Sequence, residues 1–359
     1  MSDTLLQGYI AQQPALWRAL LAQSVKITAP FAQKFSGFCP ERVVCIGSGS
    51  SHYAALMAKP VMEQVWRCEV DCVIPSAFSL PRDSRPALYF AISQSGISTN
   101  TYEIIQALLA AGHSVVAVTE HPESPVGRAA TMTIPLLIGE ENIGAKTKGV
   151  TATALTLLLL ALSVCRDEAY LRTMTDALNR FCECAADNLD AAQRWSAEKR
   201  EQVLPFQHLY VLACGDALGA AQEAALKLLE TNYLPVSWYP LDEYVHGIQN
   251  ALDSRSCLLC LIPHDGAERT RMLHLIDFAR SVGALCLTID HTAAFDADAL
   301  QLCDVPNDTL RSLQALMALQ VLAADLSAAR GIDTSRRRYP EFFSMMGSKM
   351  EEATCPKKH

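Results

Sequence analysis

The sequence has no cluster of positive charge, no apolar run long enough to cross a bilayer and no recognisable leader. Its formal net charge is −8 at pH 7, whereas a nucleic-acid surface needs clustered Lys and Arg to neutralise phosphates. The longest apolar stretch, 154–164, is interrupted by Thr156 and Ser163 and is shorter than the ~20 residues that a bilayer helix needs. These absences argue against nucleic-acid and membrane partners, and they favour a buried core helix at that stretch.

The beginning, MSDTLLQGYIAQQPALWRALL, lacks the cationic start, the apolar run and the small-residue cleavage site of a secretion signal, so we expect a cytoplasmic protein. The 13 cysteines are scattered among apolar, strand-like runs such as VVCIGS and LACGD, where we expect reduced thiols that act as small apolar residues. Cys257 and Cys260 form a CxxC inside such a run, SCLLCLIP. Because no second ligand pair follows at zinc spacing, we predict no metal site.

With 359 residues, 50% of them apolar, the chain has material for two buried cores and is too long for one ordinary domain. Apolar runs bounded by turn residues alternate with helical periods, which predicts βαβ units and an α/β fold on parallel sheets. The predicted strands are 43–48, 70–75, 88–93, 114–119, 132–137, 209–214, 235–239, 257–262 and 284–289. The predicted helices are 51–65, 99–111, 148–163, 218–231, 268–282 and 310–329, with a bridging helix over 167–200.

The order of elements repeats, which predicts an internal duplication. VVCIGSGSSHYAA in the first half aligns with VLACGDALGAA in the second, and AISQSG aligns with LIPHDG. Each of these segments is a strand followed by a turn. We place an N-terminal helical segment at 1–34, a first domain at 35–195, a second domain at 196–335 and a tail at 336–359.

Two hydroxyl-rich turns follow strands of the first half, GSGSS at 47–51 and SQSGIS at 93–98. In a parallel sheet such turns lie at the carboxyl ends of the strands, beside helix N-termini whose N–H groups bind anions. Neither turn carries Lys or Arg, and the sequence contains neither GxxxxGK[ST] nor GxGxxG, so a monophosphate is favoured over a nucleotide. The alternative is that Ser and Gly only build turns and helix caps here.

The second half has carboxylates where the first has hydroxyls. Its equivalent turns read CGD at 214–216 and PHD at 263–265, and these carboxylates would repel a phosphate. The following helix places Glu223, Lys227 and Glu230 at i, i+4 and i+7, on one face. That face is either a solvated surface with an ion-paired lysine or a reactive cluster. His246 is followed directly by Gly247, which predicts a loop position, on the surface or in a site.

Together GSGSS, SQSG, IGAKTKGVT and EAALKLLETNYLPVSWYPLDEYVHG resemble the tandem SIS (sugar isomerase) proteins, over nearly the whole chain. This family includes the isomerase half of glucosamine-6-phosphate synthase, fructose-amine 6-phosphate deglycases and sugar-phosphate deaminases or isomerases. The resemblance implies two tandem SIS domains, each a mostly parallel sheet flanked by helices in a flavodoxin-like, three-layer arrangement. It also implies an enzyme acting on a sugar phosphate with no metal or organic cofactor.

The resemblance implies roles for individual positions. The family's phosphate- and sugar-binding residues correspond to Ser50, Ser51, Ser93, Gln94, Ser95 and Ser98. Its proton-shuttling base corresponds to Glu230, with Lys227 beside it. His246 matches a ring-opening histidine that a neighbouring subunit contributes in these enzymes, which implies a homodimer or larger homo-oligomer with shared active sites.

Two departures from the family bear on activity. The synthase has an N-terminal glutaminase domain with a cysteine nucleophile, whereas MSD leads here straight into the SIS region, so we expect no glutaminase activity. The loop IGAKTKGVT is one residue shorter than the family's IGVASTKAFT, with Lys146 at a sugar-contacting serine position and Thr147 and Lys148 retained, which predicts an altered sugar pocket. Near the tail, Lys349 is a candidate for the family's lysine that reacts with an open-chain ketose.

These features predict an enzyme acting on a 6-phosphorylated amino sugar or sugar–amine conjugate by deglycation, deamination or aldose–ketose isomerisation. Two alternatives stay open. One is a phosphosugar-binding regulator without catalysis, although no DNA-binding segment is apparent and the glutamate and histidine positions are occupied. The other is a plain ketose–aldose phosphate isomerase, which the residues do not separate from the first interpretation.

Overall fold

Parallel β-strands form the centre of the computed structural model, which describes residues 4–292, 296 and 298–350. One sheet contains β1 (Arg42–Ile46), β2 (Glu69–Val73), β3 (Ala87–Ile92), β4 (Val115–Thr119) and β5 (Met132–Pro135), in the order β2-β1-β3-β4-β5. A second sheet contains β6 (Leu209–Ala213), β7 (Val236–Pro240), β8 (Cys257–Leu261), β9 (Leu285–Asp290) and β10 (Leu300–Gln301), in the order β10-β9-β8-β6-β7. All neighbouring strands are parallel. Each sheet has a flavodoxin-like strand order, and the two parallel sheets confirm the predicted α/β fold class.

Helices connect and cover these strands. They are α1 (Leu5–Ala11), α2 (Gln13–Ala22), α3 (Ser24–Phe35), α4 (Ser50–Trp66), α5 (Thr99–Ala110), α6 (Pro125–Ala129), α7 (Lys148–Leu162), α8 (Glu168–Val203), α9 (Leu218–Asn232), α10 (Leu241–Tyr244), α11 (Gly266–Ser281), α12 (Asp308–Ala329) and α13 (Phe342–Met345). Short 3₁₀ helices cover Pro75–Ala77, Gly215–Ala217 and Ile248–Ala251.

The predicted strands are present, each with ends within two residues of the predicted ones. The sequence did not predict β10, because a strand of two residues has no apolar run of its own. The predicted N-terminal helical segment is divided into α1, α2 and α3, and residues 1–3 of that segment lie outside the described residues. Every residue of α7 is buried, which confirms the core helix predicted for the longest apolar stretch.

Helices cover both faces of the first sheet. On one face α5 and α6 contribute Ile105, Leu108 and Val126 to a core that they share with the strands. Phe90 points to the opposite face from its neighbours along β3, and there its ring meets Phe31 of α3 and Trp66 of α4. The first sheet is therefore the middle layer of three.

The second sheet is also enclosed. On one face α10 and α11 pack on the strands through residues such as Tyr244, Met272 and Ile276. Helix α9 packs against α12, whose buried alanines allow close approach. Within the described residues α12 is the one helix long and apolar enough to cross a membrane, but 83% of its apolar window is buried, as in a core helix.

The backbone preserves the duplication in detail. Gly49 and Gly215, which follow β1 and β6, have φ values of 55° and 54°. Arg67 and Tyr233, which end α4 and α9, have φ values of 52° and 56°. A left-handed backbone costs a non-glycine residue roughly 1–2 kcal/mol. Its recurrence at equivalent helix ends indicates that the two halves repeat one backbone design.

The chain divides into two compact units, one for each sheet. The unit of the second sheet takes in the described chain up to Ala15, Asn142–Thr147 and Arg172–Arg336. The unit of the first sheet takes in Leu16–Glu141, Lys148–Leu171 and the described chain from Arg337 onward. The domain limits inferred from the sequence remain a prediction, since a compact unit collects segments that are distant in sequence.

Candidate functional site

The turn after β1 places Ser50 and Ser51 at the start of α4. Gly49 has a φ of 55°, which glycine adopts at no steric cost, and α4 begins with the next residue. Gly47 lies in a tight space, because a Cβ there would be 3.0 Å from Ser51 Cβ and 3.2 Å from the carbonyl oxygen of Ile92. The two glycines thus bring the serines to the carboxyl end of the strand.

The turn after β3 brings Ser93 and Ser98 together, with their Oγ atoms 3.0 Å apart. Ser98 is the N-cap residue of α5. Between them Gly96 has a φ of 68°, and a Cβ there would lie 2.0 Å from Ser124 Oγ and 2.9 Å from Thr119 Oγ1. Only glycine therefore permits this turn to fold back and bring the two hydroxyls together.

A hydrogen bond links the segments of the two hydroxyl-rich turns. Nδ2 of Asn100 in α5 donates a hydrogen bond of 3.4 Å to Oγ of Ser48, just before α4. The first turns of α4 and α5, both within the described residues, contain no acidic side chain. The N-cap residue of α4 is a glycine, and the side chain of Ser98 makes no capping hydrogen bond to α5. Hydroxyls beside two such helix starts form an environment suited to an anion.

Gln94 is held by a buried carboxylate that the sequence analysis missed. Glu141 accepts the backbone N–H groups of Lys148 and Gly149 at 3.0 and 3.1 Å, at the start of α7, and Nε2 of Gln94 at 3.2 Å. A carboxylate at a helix N-terminus is stabilised by the helix dipole. A Cβ on Gly149 would lie 2.4 Å from Nε2 of Gln94, so the contact needs glycine there. A loop separates Glu141 from α7, and no spacing in the sequence indicates that Glu141 contacts Gln94.

The tail lysine lies beside the hydroxyl-rich turn of the same unit. Lys349 and Ser98 form an antiparallel β-bridge, and the N–H of Met350 donates to the carbonyl oxygen of Ile97 at 2.9 Å. Nζ of Lys349 lies 4.8 Å from the centre of the Phe343 ring. The tail therefore borders the turn between β3 and α5.

Lys146 and Thr147 lie in the segment Asn142–Thr147, which belongs to the unit of the second sheet. The carbonyl oxygen of Thr147 accepts a hydrogen bond of 3.3 Å from Nε2 of Gln320 in α12. Oε1 of Gln320 in turn accepts from Nε2 of Gln13 at 2.8 Å, and both amides are buried. The loop is thus anchored by core amides, and the roles of Lys146 and Thr147 toward a sugar stay predictions.

Three charged residues of α9 form a connected cluster. Glu223 and Lys227 are 0% and 1% exposed, and Nζ of Lys227 lies 3.1 Å from Oε1 of Glu223. The same Nζ donates a hydrogen bond to Oε1 of Glu230, whose side chain is 30% exposed. The interpretation of this helix face as a solvated surface is therefore wrong.

The buried lysine of this cluster is charged. Burial by itself would lower the pKa of Lys227, but the carboxylates of Glu223 and Glu230 outweigh burial and hold that pKa above its usual value. Through its hydrogen bond, the ammonium group of Lys227 holds the partly exposed carboxylate of Glu230 in position from the buried side. The spacing of four residues placed Glu223 on one helix face with Lys227, but only the structure shows that Glu223 is fully buried.

His246 occupies the exposed turn that follows α10. In the part of the chain that the structure describes, no hydrogen bond or ion pair joins its side chain to Glu230. The loop position predicted from Gly247 is present, and Gly247 has a φ of 141°. Whether a second subunit receives His246 stays a prediction.

The cysteines form no metal site in the described residues. Cys257 and Cys260 are both buried in β8. No group of three or more His, Cys, Asp or Glu side chains among the described residues is placed to hold a metal ion. The twelve cysteines between residues 4 and 350 are free thiols.

The chain is similar to sugar-phosphate enzymes along most of its length. It is 24% identical over 339 residues to glutamine–fructose-6-phosphate aminotransferase [isomerizing] of Bacillus subtilis, which covers 91% of this chain and 56% of the relative. The same enzyme of Gloeobacter violaceus is 26% identical over 309 residues, covering 83% of this chain and 51% of the relative. The chain thus spans about half the length of these curated relatives.

Solved structures share the fold. A candidate phosphosugar isomerase of Clostridium difficile 630 superposes with a TM-score of 0.85 at 22% identity, covering 97% of this chain and 99% of that one. The C-terminal domain of glucosamine-fructose-6-phosphate aminotransferase of Francisella tularensis gives 0.82 at 18% identity, covering 93% and 98%. Tagatose-6-phosphate ketose/aldose isomerase of Escherichia coli gives 0.76 at 18% identity, covering 93% and 95%.

A family model matches each half of the chain separately. The SIS domain model matches residues 38–163 and again residues 205–321, and each match contains one of the two five-stranded sheets or nearly all of it. Together the two segments that the SIS domain model matches make up more than half of the sequence. The chain therefore belongs to the SIS domain family and carries the domain twice.

Proposed function

We propose that this protein is an enzyme that processes a 6-phosphorylated amino sugar or sugar–amine conjugate with aldose–ketose isomerisation, and that water hydrolyses the resulting imine to a sugar carbonyl and a free amine or ammonia. The observation that carries the proposal is the charged cluster of α9. Two of its three members are buried, and the third, Glu230, presents its carboxylate at the surface of the helix. Buried charge next to a partly exposed carboxylate is a frequent mark of catalytic sites.

The proposed chemistry moves a proton between adjacent carbons. A C–H group next to a carbonyl or imine is a weak acid, so Glu230 removes the proton from one of C1 and C2 and returns it to the other. Lys227 holds that carboxylate in place, and His246 transfers a proton at the ring oxygen so that the sugar opens. Each positioned acid or base contributes about 10²–10⁴-fold in rate. The carbonyl or imine of the substrate is the electron sink, so the proposal requires no cofactor.

The hydroxyl-rich turns of the first sheet are proposed to bind the phosphate, through Ser50, Ser51, Ser93, Gln94, Ser95 and Ser98. Their position beside two helix starts without acidic residues supports an anion there. The relatives act by name on fructose 6-phosphate or tagatose 6-phosphate, which supports a 6-phosphorylated sugar. Lys146 and Thr147 are proposed to contact the sugar, and Lys349 is proposed to react with an open-chain ketose.

The remaining parts of the proposal concern the assembly and the cell. We propose a homodimer or larger homo-oligomer in which His246 serves the active site of a neighbouring subunit, and its exposure in the single chain is compatible with that role. A cytoplasmic location and the absence of glutaminase activity are part of the same proposal.

The test is a turnover assay with fructose-amine 6-phosphates, glucosamine 6-phosphate and simple hexose 6-phosphates, following release of amine and formation of ketose. Glu230→Gln keeps the size of the side chain and removes the base, so kcat is expected to fall by about 10²–10⁴-fold. Ser93→Ala removes one hydroxyl of the phosphate site and is expected to raise KM with a smaller effect on kcat. Glu198→Gln, an exposed carboxylate of α8, is the matched control and is expected to leave both constants unchanged.

The alternatives give different results in this assay. Interconversion of hexose 6-phosphates without release of amine would identify a plain ketose–aldose isomerase. If several phosphosugars raise the melting temperature, none turns over, and Glu230→Gln binds them equally well, the protein is a phosphosugar-binding regulator and the catalytic assignments are wrong.

A further inference from the structure

A cleft of about 310 Å³ lies within the unit of the second sheet, at the carboxyl ends of its strands. The segments that follow β6, β7, β8 and β9 line it, together with the start of α12. The strand order reverses between β6 and β8, and in open α/β sheets such a switch point is where ligands bind. The cleft thus occupies the position in the second sheet that the hydroxyl-rich turns occupy in the first.

The charge of this cleft is opposite to what a phosphate needs. Each helix start that lines it carries an acid, namely Asp216 in the 3₁₀ helix after β6, Asp242 at α10, Asp265 and Glu268 at α11, and Asp308 at α12. The corresponding starts of α4 and α5 carry none. At these positions the helix dipoles stabilise the protein's own carboxylates, and these carboxylates repel other anions.

Positive charge in the cleft is already neutralised. His264 lines the cleft with Nδ1 3.4 Å from Oδ2 of Asp265 and Nε2 3.5 Å from Oδ2 of Asp304. The one Arg or Lys among the lining residues is Arg311. Its guanidinium lies 2.8 Å from Oδ1 of Asp304 and 2.6 Å from Oδ1 of Asp308. The excess of carboxylates over cations therefore favours a ligand with a positive charge.

His291 gives the cleft an unsatisfied polar group. It follows β9 directly, lines the cleft and is 7% exposed. Its Nε2 atom is buried and has no hydrogen-bond partner among the described residues. Burial, with a smaller contribution from Arg311, lowers the pKa of His291 to about 4, so the ring is neutral near pH 7. Because native proteins rarely leave a buried polar atom without a partner, a ligand that hydrogen-bonds to Nε2 fits this site.

The lining residues favour an organic cation over a metal ion. Within the described ranges no three His, Cys, Asp or Glu side chains converge as a metal site requires. The volume is at the lower end of the range for small-molecule sites, about 300–1,000 Å³, which suits a ligand the size of a monosaccharide.

We propose that this cleft binds a small hydroxylated primary amine in its protonated form, with the ammonium group against the carboxylates of Asp265 and Glu268 and a hydrogen bond to Nε2 of His291. This is a second ligand site, whose lining includes neither Glu230 nor any residue of the hydroxyl-rich turns. It goes beyond the proposed function, since binding here needs no turnover.

The experiment uses D-glucosamine as the probe, in calorimetric titrations of the full chain carrying Glu230→Gln so that no turnover occurs. Saturable binding is expected for glucosamine and not for N-acetyl-D-glucosamine or D-glucose, which keep the ring and lack the charge. Glu268→Gln is expected to weaken binding roughly threefold to fivefold, and His291→Gln roughly tenfold. Asp277→Asn removes an exposed carboxylate from the same helix, α11, away from the cleft, and is expected to change nothing.

A second measurement keeps the test independent of how the His291 variant folds. The NMR spectrum of protein labelled with ¹³C-histidine contains one ring resonance of His291, which is identified by its absence from the spectrum of His291→Gln. Glucosamine is expected to shift this resonance at the concentrations that saturate the calorimetric titration. The proposal is overturned if glucose binds as well as glucosamine, or if Asp277→Asn weakens binding as much as Glu268→Gln. It is equally overturned if Ser93→Ala abolishes glucosamine binding while Glu268→Gln does not, because the amine then binds at the hydroxyl-rich turns.

Discussion

At the scale of single residues, Lys227 has the most demanding environment in the second unit. Its ammonium group is buried and contacts the buried carboxylate of Glu223 and the partly exposed carboxylate of Glu230. Two buried charges lose their hydration, and only their mutual attraction and hydrogen bonding compensate for that loss. The cluster is therefore a poor source of stability in itself, and its presence is better explained by the reaction that Glu230 is proposed to perform.

Replacing Lys227 with Met should destabilise the fold strongly. Glu223 would be left as a buried carboxylate without its cation, and losing one partner of a buried ion pair costs about 3–5 kcal/mol. Chemical denaturation of both proteins at pH 7 measures the change in the free energy of unfolding. Lys26→Met is the control, because Lys26 is exposed on α3 and its loss should cost less than about 0.5 kcal/mol.

The double variant Glu223→Gln with Lys227→Met sharpens this test. Removing both charges leaves no isolated ion in the core, so the double variant should be more stable than Lys227→Met alone. A double variant whose loss equals the sum of the two single losses would mean that the residues are not coupled.

His291 should make stability depend on pH. Its pKa is lowered to about 4 in the folded protein, by burial first and then by Arg311 and His264, against the opposing charges of Asp290 and Asp304. The unfolded chain, with a usual value near 6.5, therefore binds more protons between those two pH values. The stabilising contribution of the neutral ring is complete above about pH 6.5 and should decline, by roughly 3 kcal/mol in total, as the pH falls toward 4.

The measurement compares the wild type with His291→Gln by denaturant unfolding at several pH values from 7.5 to 4. The difference between the two proteins isolates this histidine from the other titrating groups. Parallel curves for the two proteins would show that His291 is not buried as a neutral ring.

At the scale of elements, the turn between β3 and α5, part of the proposed phosphate site, is tightly constrained at Gly96. Gly96→Ala should be costly for two reasons: a left-handed backbone costs alanine about 1–2 kcal/mol, and its Cβ would overlap Ser124, which adds roughly 1–3 kcal/mol. Gly112→Ala is the matched control, because Gly112 has a φ of 84° and open space around its Cβ position. Thermal and denaturant unfolding should show a loss for Gly96→Ala at least twice that for Gly112→Ala, and equal losses would mean that the turn can relax.

At the scale of the whole molecule, the proposed sharing of His246 between subunits can be tested by mixing. Glu230→Gln and His246→Ala should each be inactive alone. When the two are unfolded together and refolded, a symmetric dimer with shared sites should regain up to about a quarter of wild-type activity, since half the dimers are mixed and one of their two sites is intact. Glu230→Gln mixed with Glu230→Ala is the control and should stay inactive. No recovery in the first mixture, despite confirmed subunit exchange, would place both groups in the same chain.

Most of the architecture was predictable from local pattern. Apolar runs of five or six residues between turn signals gave the position of each longer strand, and helical periods gave the covering helices. The two-residue β10 was missed because it exists only through its pairing with β9. Glu141 was missed for a similar reason, since its partners Gln94 and Gly149 come from other elements that only the folded chain brings together.

The sequence by itself determined the repeated α/β pattern, the glycines that permit the turns after β1 and β3, and the placement of Glu223, Lys227 and Glu230 on one face of a helix. These properties depend on residues close together in the chain, through steric limits on φ and through helical spacing. Only the tertiary structure decided that Glu223 and Lys227 on this helix face are buried and that Ser48 meets Asn100. It alone left Nε2 of His291 buried without a partner. Burial and contact between distant segments follow from how the elements pack, and no local pattern of residues specifies that packing.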